Sequence, residues 1–205
     1  MRVLEDSKGR FLLCGIIKEV SDGRGKGAGR CLSVRIENQV WSSEAQANIC
    51  NLYEITFWDS DKIKMKSRFE KSQLGVGSFI SVLFYMGEGE EYKGNAVDFK
   101  KVGLWEINEK HNVIIGTCTR TTVLENNGSK TTVATVPYSV WSNGETNNIF
   151  VGIRFNDKFK VIQDRAFKFL SPENDKYKKC IIECGAIEQN AKGFYGAYGK
   201  NFELI

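Results

Sequence analysis

Apolar residues recur at every second position in short segments of this 205-residue chain, a pattern typical of β-strands with one buried face. In the first half, the alternating apolar positions form two runs: Leu32, Val34 and Ile36, then Tyr53, Ile55 and Phe57. Further strands are predicted over residues 11–20, 79–86 and 95–107. The lysine-rich segment from Asp59 to Gly75 begins with a capping residue and contains apolar residues, which predicts a helix before the fourth strand.

The second half of the chain repeats this order of elements. Val40-Trp41-Ser42 recurs as Val140-Trp141-Ser142, and the run 78–82 is matched by the run 179–183. Strands are predicted over 113–122, 131–136, 149–155, 180–187 and 194–205, with a helix over 159–170. Equivalent positions lie about 100 residues apart, which is the length of a small domain. We therefore predict two domains, residues 1–108 and 109–205.

Five strands with a helix between the third and the fourth is the element order of the OB-fold. The predicted fold class is all-β with one short helix per domain: two tandem OB-fold, five-stranded Greek-key barrels. Pro137 lies inside the second predicted strand of the second domain. Because proline cannot donate a ladder hydrogen bond, we expect a sheet edge or a bulge at that position.

The composition narrows the classes of function. Lysine and arginine total 29 against 25 aspartate and glutamate, and the resulting net charge of +4 allows contact with nucleic acid without requiring it. The six cysteines are scattered and the chain has one histidine, His111, so no metal-ligand spacing is present. We expect free thiols, no cofactor and no catalytic activity. The chain has no apolar run of membrane-spanning length and no signal-peptide pattern, which predicts a cytoplasmic location.

The motifs resemble those of the bacterial and phage-type single-stranded DNA-binding proteins. Asn112-Val113-Ile114-Ile115-Gly116 is similar to the opening strand of that family, and Phe57-Trp58-Asp59-Ser60-Asp61-Lys62 is similar to its third strand running into its helix. The segment from Gly77 to Tyr92 resembles the strand and tyrosine-bearing hairpin that follow. Members of the family usually carry one barrel per chain. The resemblance therefore implies a tandem version, in which a homodimer would hold four barrels.

Single strands are held by aromatic faces on which bases stack and by cations that neutralise phosphates. Strand alternation turns Arg35, Trp58 and Arg154 outward, and Trp41 and Trp141 begin equivalent hairpin arms. The predicted nucleic-acid-binding residues are Lys18, Arg35, Trp41, Trp58, Tyr85, Tyr92, Arg120, Tyr138, Trp141, Arg154 and Tyr195. We expect the second domain to bind more weakly, because Asn156 stands where the first domain has Trp58.

The predicted function is single-stranded DNA binding with little sequence specificity, in replication, recombination, or mobile-element or phage DNA metabolism. Two alternatives remain open at this point. The same barrels could form a protein-interaction or assembly scaffold, with the aromatic residues in subunit contacts. They could also bind RNA, because nothing in the sequence reads a 2′-hydroxyl. The basic glycine-rich turn from Gly23 to Gly27, with Arg24 and Lys26, lacks the lysine-serine or lysine-threonine ending of a phosphate loop.

Overall fold

The computed structural model describes residues 3–23, 29–42, 44–101, 103–142, 145–156, 160–172 and 177–205; at 41, 139–142, 145–146 and 160–161 it describes the backbone alone. The chain divides into two compact units, Met1–Lys101 and Val102–Ile205. Both units are built mainly of β-strands, as predicted. Among the residues described, no helix has the length and apolar character needed to cross a membrane.

The first unit is a closed barrel. Its described elements are β1 (Leu4–Glu5), β2 (Phe11–Asp22), β3 (Cys31–Ser42), β4 (Ala47–Trp58), α1 (Met65–Lys71), β5 (Phe79–Met86) and β6 (Lys93–Lys100). The strand order is β1-β2-β3-β4-β6-β5, and β5 pairs with β2 to close the sheet. β4 and β6 run parallel, while the other pairs are antiparallel. The five strands β2 to β6, with α1 between β4 and β5, have the topology of an OB-fold.

Alternation along the strands places the core where the sequence predicted it. The six alternating apolar residues of β3 and β4 are all buried: Leu32, Val34, Ile36, Tyr53, Ile55 and Phe57. Helix α1 closes one end of the barrel by packing Phe69 on Phe57, with 5.0 Å between the ring centroids. The helix is shorter than the predicted segment, because Asp59 and Lys64 pair as an isolated bridge and the chain between them forms a turn.

The second unit has the same order of elements. Its described elements are β7 (Gly103–Asn108), β8 (His111–Cys118), β9 (Arg120–Asn126), β10 (Ser129–Ser142), β11 (Glu145–Asn156), α2 (Lys160–Leu170), β12 (Lys178–Cys184), β13 (Glu188–Gln189) and β14 (Tyr195–Leu204). The strand order is β7-β8-β12-β14-β11-β10-β9, with β11 and β14 parallel. β8 and β9 are two halves of one opening strand, separated at Thr119, whose N–H donates to the carbonyl oxygen of Thr135 at 2.9 Å.

A glycine in each opening strand marks the same close approach. A Cβ on Gly15 would lie 2.2 Å from the carbonyl oxygen of Glu37, and one on Gly116 would lie 2.8 Å from Cγ1 of Val136. Real Cβ atoms do not come so near to other atoms, so a side chain at position 15 would collide with backbone and one at position 116 would have to displace Val136. The opening strand crosses the second strand at this point in both units.

The boundary between the units lies earlier in the chain than expected. The last strand of the first unit ends at Lys100, and the run from Gly103 to Asn108 forms the separate strand β7. β7 pairs with β8, where Leu104 lies opposite Ile114, so it belongs to the second unit and not to the end of the first. The sequence shows one apolar run over 95–107, and the pairing partner of its second half is visible only in the fold.

The strand register also corrects the match between the fourth strands of the two halves. Ile80 lies opposite Gly15, and Cys180 lies opposite Gly116. Ile80 and Cys180 are therefore equivalent, whereas the sequence match paired Phe79 with Cys180. A slip of one residue exchanges the inward and outward faces of a strand.

Pro137 occupies a position at which β10 has one neighbour. The pairing of β9 with β10 ends at Arg120 and Thr135, and Pro137 lies beyond it, opposite Phe150 of β11. On the side away from β11 no ladder pairing is described at Pro137, so the missing N–H interrupts no ladder, as the sequence predicted.

Candidate functional site

The outward face of β3 and β4 in the first unit carries two of the predicted residues. Arg35 and Trp58 are both exposed there. The indole Nε1–H of Trp58 donates to Oδ1 of Asn95 at 2.9 Å, which ties the ring to the neighbouring strand β6. Tyr85 is exposed on β5, and Tyr92 is exposed at the start of β6.

A row of four charged residues crosses this face of the first unit. Adjacent members lie directly opposite one another on β2, β3, β4 and β6, and we call Glu19, Arg35, Glu54 and Lys93 the charged row. Nη1 of Arg35 lies 2.9 Å from Oε2 of Glu19, and Glu54 accepts a hydrogen bond from the hydroxyl of Ser33 at 3.0 Å. The signs alternate along the row, so the positive groups are neutralised within the face.

Other cations of the first unit are engaged in the same way. Nζ of Lys18 lies 3.0 Å from Oε1 of Glu37, and Nζ of Lys93 lies 2.8 Å from Oε2 of Glu90. The turn between β5 and β6 is acidic, with Glu88, Glu90 and Glu91 all on the surface. Lys18 and Arg35, predicted from the sequence as phosphate-binding cations, therefore face carboxylates of their own unit.

The aromatic pair near the end of this face is partly structural. The rings of Tyr53 and Tyr92 meet edge to face, with 5.1 Å between their centroids. Burial raises the pKa of the Tyr53 hydroxyl, and the neighbouring Tyr92 adds to the effect. Tyr92 thus covers a core tyrosine while keeping part of its ring exposed.

The second unit presents the same face with a different row. Ile55 and Ile153 hold equivalent buried positions, so the preceding residues, Glu54 and Gly152, belong to equivalent outward rows. Gly152 lies opposite Thr135 of β10 and Gly196 of β14, and Thr135 in turn lies opposite Arg120 of β9. We call Arg120, Thr135, Gly152 and Gly196 the open row. Two charged side chains of the first unit are therefore replaced by two adjacent glycines.

The glycine pair forms the floor of a cavity of about 510 Å³. A Cβ on Gly196 would have its nearest neighbours at 3.5 Å, the carbonyl oxygen of Gly152, and at 4.0 Å, the guanidinium of Arg154. A Cβ on Gly152 would lie 3.4 Å from Cγ1 of Val133, an ordinary contact distance. Four exposed apolar or aromatic side chains line the cavity: Leu124, Phe150, Phe194 and Tyr198, of which Phe194 is 68% exposed.

Three cations of this second unit have no ion pair among the residues described. Among the residues that the structure describes, Arg154 has no carboxylate within ion-pair distance, in contrast to Arg35. Arg120 and Lys192 are also exposed and lack a described ion pair. Arg120 lies opposite Thr135, so its side chain leaves the sheet on the same side as the cavity.

The turn that carries Phe194 is fixed by hydrogen bonds. Oδ1 of Asn190 accepts from the N–H groups of Lys192 at 2.9 Å and Phe194 at 3.0 Å. Gly193 has a φ of +83°, a left-handed conformation that favours glycine, and its carbonyl accepts from Nε2 of Gln189 at 3.0 Å. The phenyl ring is therefore presented on a turn of defined shape.

The remaining predicted residues divide into two groups. Tyr138 and Tyr195 are half-buried and pack against the core of the second unit. Burial raises the pKa of the Tyr138 hydroxyl, and Tyr195 adds to the effect. The side chains of Trp41 and Trp141 lie outside the described residues, as do Arg24 and Lys26 of the glycine-rich turn.

The sequence offered Phe194, Tyr195 and Tyr198 of the glycine-rich run 193–199 as further aromatic candidates, but it did not indicate Phe150 or the cavity that these residues line. The expectation of a weaker second domain rested on Asn156 replacing Trp58. In the structure, Tyr198 of β14 lies opposite Arg154, at the position that Asn95 holds in the first unit. The first unit therefore has its exposed aromatic ring, Trp58, on the third strand, whereas the second unit has Tyr198 on the last strand, which pairs with the third. The glycine-rich aromatic run 193–199 supplies this ring, but the strand pairing that brings it beside Arg154 could not be predicted from the sequence.

No protein-family model matches the chain, and no curated protein matches its sequence. Solved structures similar to it include the mitochondrial single-stranded DNA-binding protein Rim1 of S. cerevisiae, with 13% identity, a TM-score of 0.33, and coverage of 48% of this chain and 95% of that chain. The single-stranded DNA-binding protein of Thermus aquaticus has 13% identity and a TM-score of 0.32, with 100% and 94% covered. A deletion mutant of that protein has 12% identity and a TM-score of 0.31, with 100% and 95% covered.

Proposed function

We propose that this protein binds single-stranded DNA through the cavity face of its second unit. Bases stack on Phe150, Phe194 and Tyr198, and Arg154 contacts the phosphates together with Arg120. Stacking accepts every base, so the strand is held with little sequence preference. The protein acts by binding and not by catalysis. Its context is the protection or organisation of single strands in replication, recombination or mobile-element DNA metabolism, in the cytoplasm.

The observation that carries the proposal is the difference between the charged row and the open row. Aromatic rings around the glycine pair leave room for flat bases, each worth about 1 to 3 kcal/mol when stacked. An arginine without an ion pair attracts phosphate with its full charge, whereas a carboxylate beside a paired arginine offsets that attraction. The proposal therefore assigns strand binding to the second unit, and the shared element order supports an origin of the two units by duplication.

The test is to measure, by fluorescence anisotropy, the affinity of the protein for a fluorescein-labelled thymidine oligonucleotide of about 15 nucleotides. We expect Tyr198→Ala and Phe194→Ala each to weaken binding about tenfold, because each removes a stacking platform. Arg154→Ala should weaken it by a similar factor at low salt.

The matched controls lie in the first unit. Tyr85→Ala removes an aromatic ring that is 48% exposed, against 60% for Tyr198. Arg35→Ala removes an arginine that is already neutralised. Both should leave the affinity within about twofold of the wild type. Equal losses in the two units would contradict the assignment, and the absence of any binding at low salt would overturn the proposed function.

A further inference from the structure

We propose that the cavity of the second unit prefers guanine at one position of the bound strand. The inference rests on the proposed function and adds to it. The aromatic rings hold any base, and a donor and an acceptor over the glycine floor then discriminate among the bases that enter.

The donor and the acceptor flank the same glycine. Arg154 of β11 has its guanidinium carbon 4.0 Å from the position that a Cβ would occupy on Gly196. Glu188 of β13 lies directly opposite Gly196 on the other side, and both side chains line the cavity. The two charged groups nevertheless form no ion pair with each other in the described structure. Both groups therefore remain available to a group that enters the cavity.

Guanine is the base whose edges fit this arrangement best. Its N7 and O6 are two adjacent acceptors that match the two parallel donors of an arginine fork, so at this one position Arg154 contacts the base in place of a phosphate. Its N1–H and N2–H₂ are adjacent donors that match a carboxylate, which accepts through both oxygens. Adenine offers a donor at N6 where guanine has an acceptor, and it has no N–H at position 1. Thymine has a single N–H donor, at N3, between two carbonyl acceptors.

The first unit lacks this arrangement. At the position of Gly196 it has Lys93, whose ammonium group is paired with Glu90, and at the position of Gly152 it has Glu54. The charged row fills the space that the base would need. The preference should therefore depend on the second unit alone.

The test uses thymidine oligonucleotides of about 15 nucleotides whose central base is guanine, adenine, hypoxanthine or 7-deazaguanine. We expect a central guanine to bind about tenfold more tightly than thymine. Hypoxanthine lacks the N2 amino group, and 7-deazaguanine lacks the N7 acceptor, so each should lose about half of the gain in free energy. Glu188→Gln should abolish the difference between guanine and hypoxanthine. The control Glu54→Gln in the first unit should retain it.

Each outcome has a defined meaning. Binding of all oligonucleotides with equal affinity would overturn the guanine preference and leave strand binding intact. Equal gains from adenine and guanine would also overturn it, because a larger stacking surface would then suffice. Failure of every oligonucleotide to bind would overturn the proposed function itself. A guanine preference that survives in Glu188→Gln and Arg154→Ala would show that other residues read the base.

Discussion

For single residues, strand alternation determines which side chains point inward and which point outward. The neighbours that the fold brings together determine whether an outward side chain is paired. Arg35 and Arg154 both follow the rule of outward positions and are both exposed. Arg35 meets Glu19 across β2 and β3, whereas Arg154 meets Val133 across β10 and β11. Arg154 is therefore available to a phosphate, whereas the charge of Arg35 is already offset by Glu19.

The stability of the protein should depend on the protonation of His111. Burial lowers its pKa below the ordinary value of 6.5, and the positive Lys200 adds to the lowering. Oε2 of Glu183 lies 4.0 Å from Nε2, which is too far for a hydrogen bond, so the effect of burial prevails. The folded state thus holds the imidazole neutral, while the unfolded chain takes up a proton near pH 6.5.

The free energy of unfolding should therefore be fully retained above pH 6.5 and fall as the pH drops below that value. Denaturant midpoints measured between about pH 5 and 7.5 check this, with His111→Gln as the comparison. The variant should lose less stability over that range than the wild type. Parallel losses would mean that other groups cause the dependence.

Among the elements, the turn between β13 and β14 is held in one shape by hydrogen bonds and positions Phe194. Its hydrogen bonds involve the side chains of Asn190 and Gln189 and the left-handed Gly193. Asparagine and glycine are common turn residues for these reasons. The turn was predictable as a turn, but its role in presenting a ring was not.

Asn190→Ala should weaken oligonucleotide binding about three- to tenfold, because the turn that presents Phe194 loses the two hydrogen bonds from the N–H groups of Lys192 and Phe194 to Oδ1 of Asn190. Anisotropy measures the affinity. Asn108→Ala is the matched control, since Oδ1 of Asn108 also accepts from a turn N–H, that of Lys110, at 3.0 Å. This turn lies between β7 and β8, and the control should bind as the wild type does. Similar losses in both variants would indicate a general effect on stability.

Some features of the elements depend on local spacing in the chain, and others depend on the register between strands. The helix over 159–170 and the alternating strands depend on local spacing, and the structure has them at Lys160–Leu170, Cys31–Ser42 and Ala47–Trp58. The ion pair between Arg35 and Glu19 depends on an irregularity in β2 between Ile17 and Glu19, which shifts the register. The open row depends on four strands meeting in register. Neither arises from neighbours in the chain, so neither could be predicted from spacing.

At the scale of the whole molecule, two units with one topology carry different surfaces. Both have the opening glycine, the parallel pairing of the third and last strands, and one helix before the fourth strand. The repeated order of motifs in the sequence predicted this common frame. The differences lie at outward positions, where the frame tolerates either charge or glycine.

We expect one strand-binding site per chain and a moderate dependence on salt. Three cations without a described ion pair, Arg120, Arg154 and Lys192, lie on the binding face or on its turn. Neutralising about three phosphates of a single strand gives a slope of about −2 in log affinity against log salt concentration. Titration at concentrations well above the dissociation constant gives the stoichiometry, and anisotropy at several salt concentrations gives the slope. Two sites per chain or a slope beyond about −4 would require the first unit to take part.

The glycine pair has a further consequence for the mechanics of the second barrel. Gly152 and Gly196 lie opposite each other where β11 and β14 pair, so this junction has no contact between side chains on its outer surface. Glycine within strands also loosens them. A base resting on the pair would supply the contacts that the sheet lacks. Occupancy of the cavity and rigidity of the junction are therefore coupled, so a bound strand would act as a structural part of the barrel.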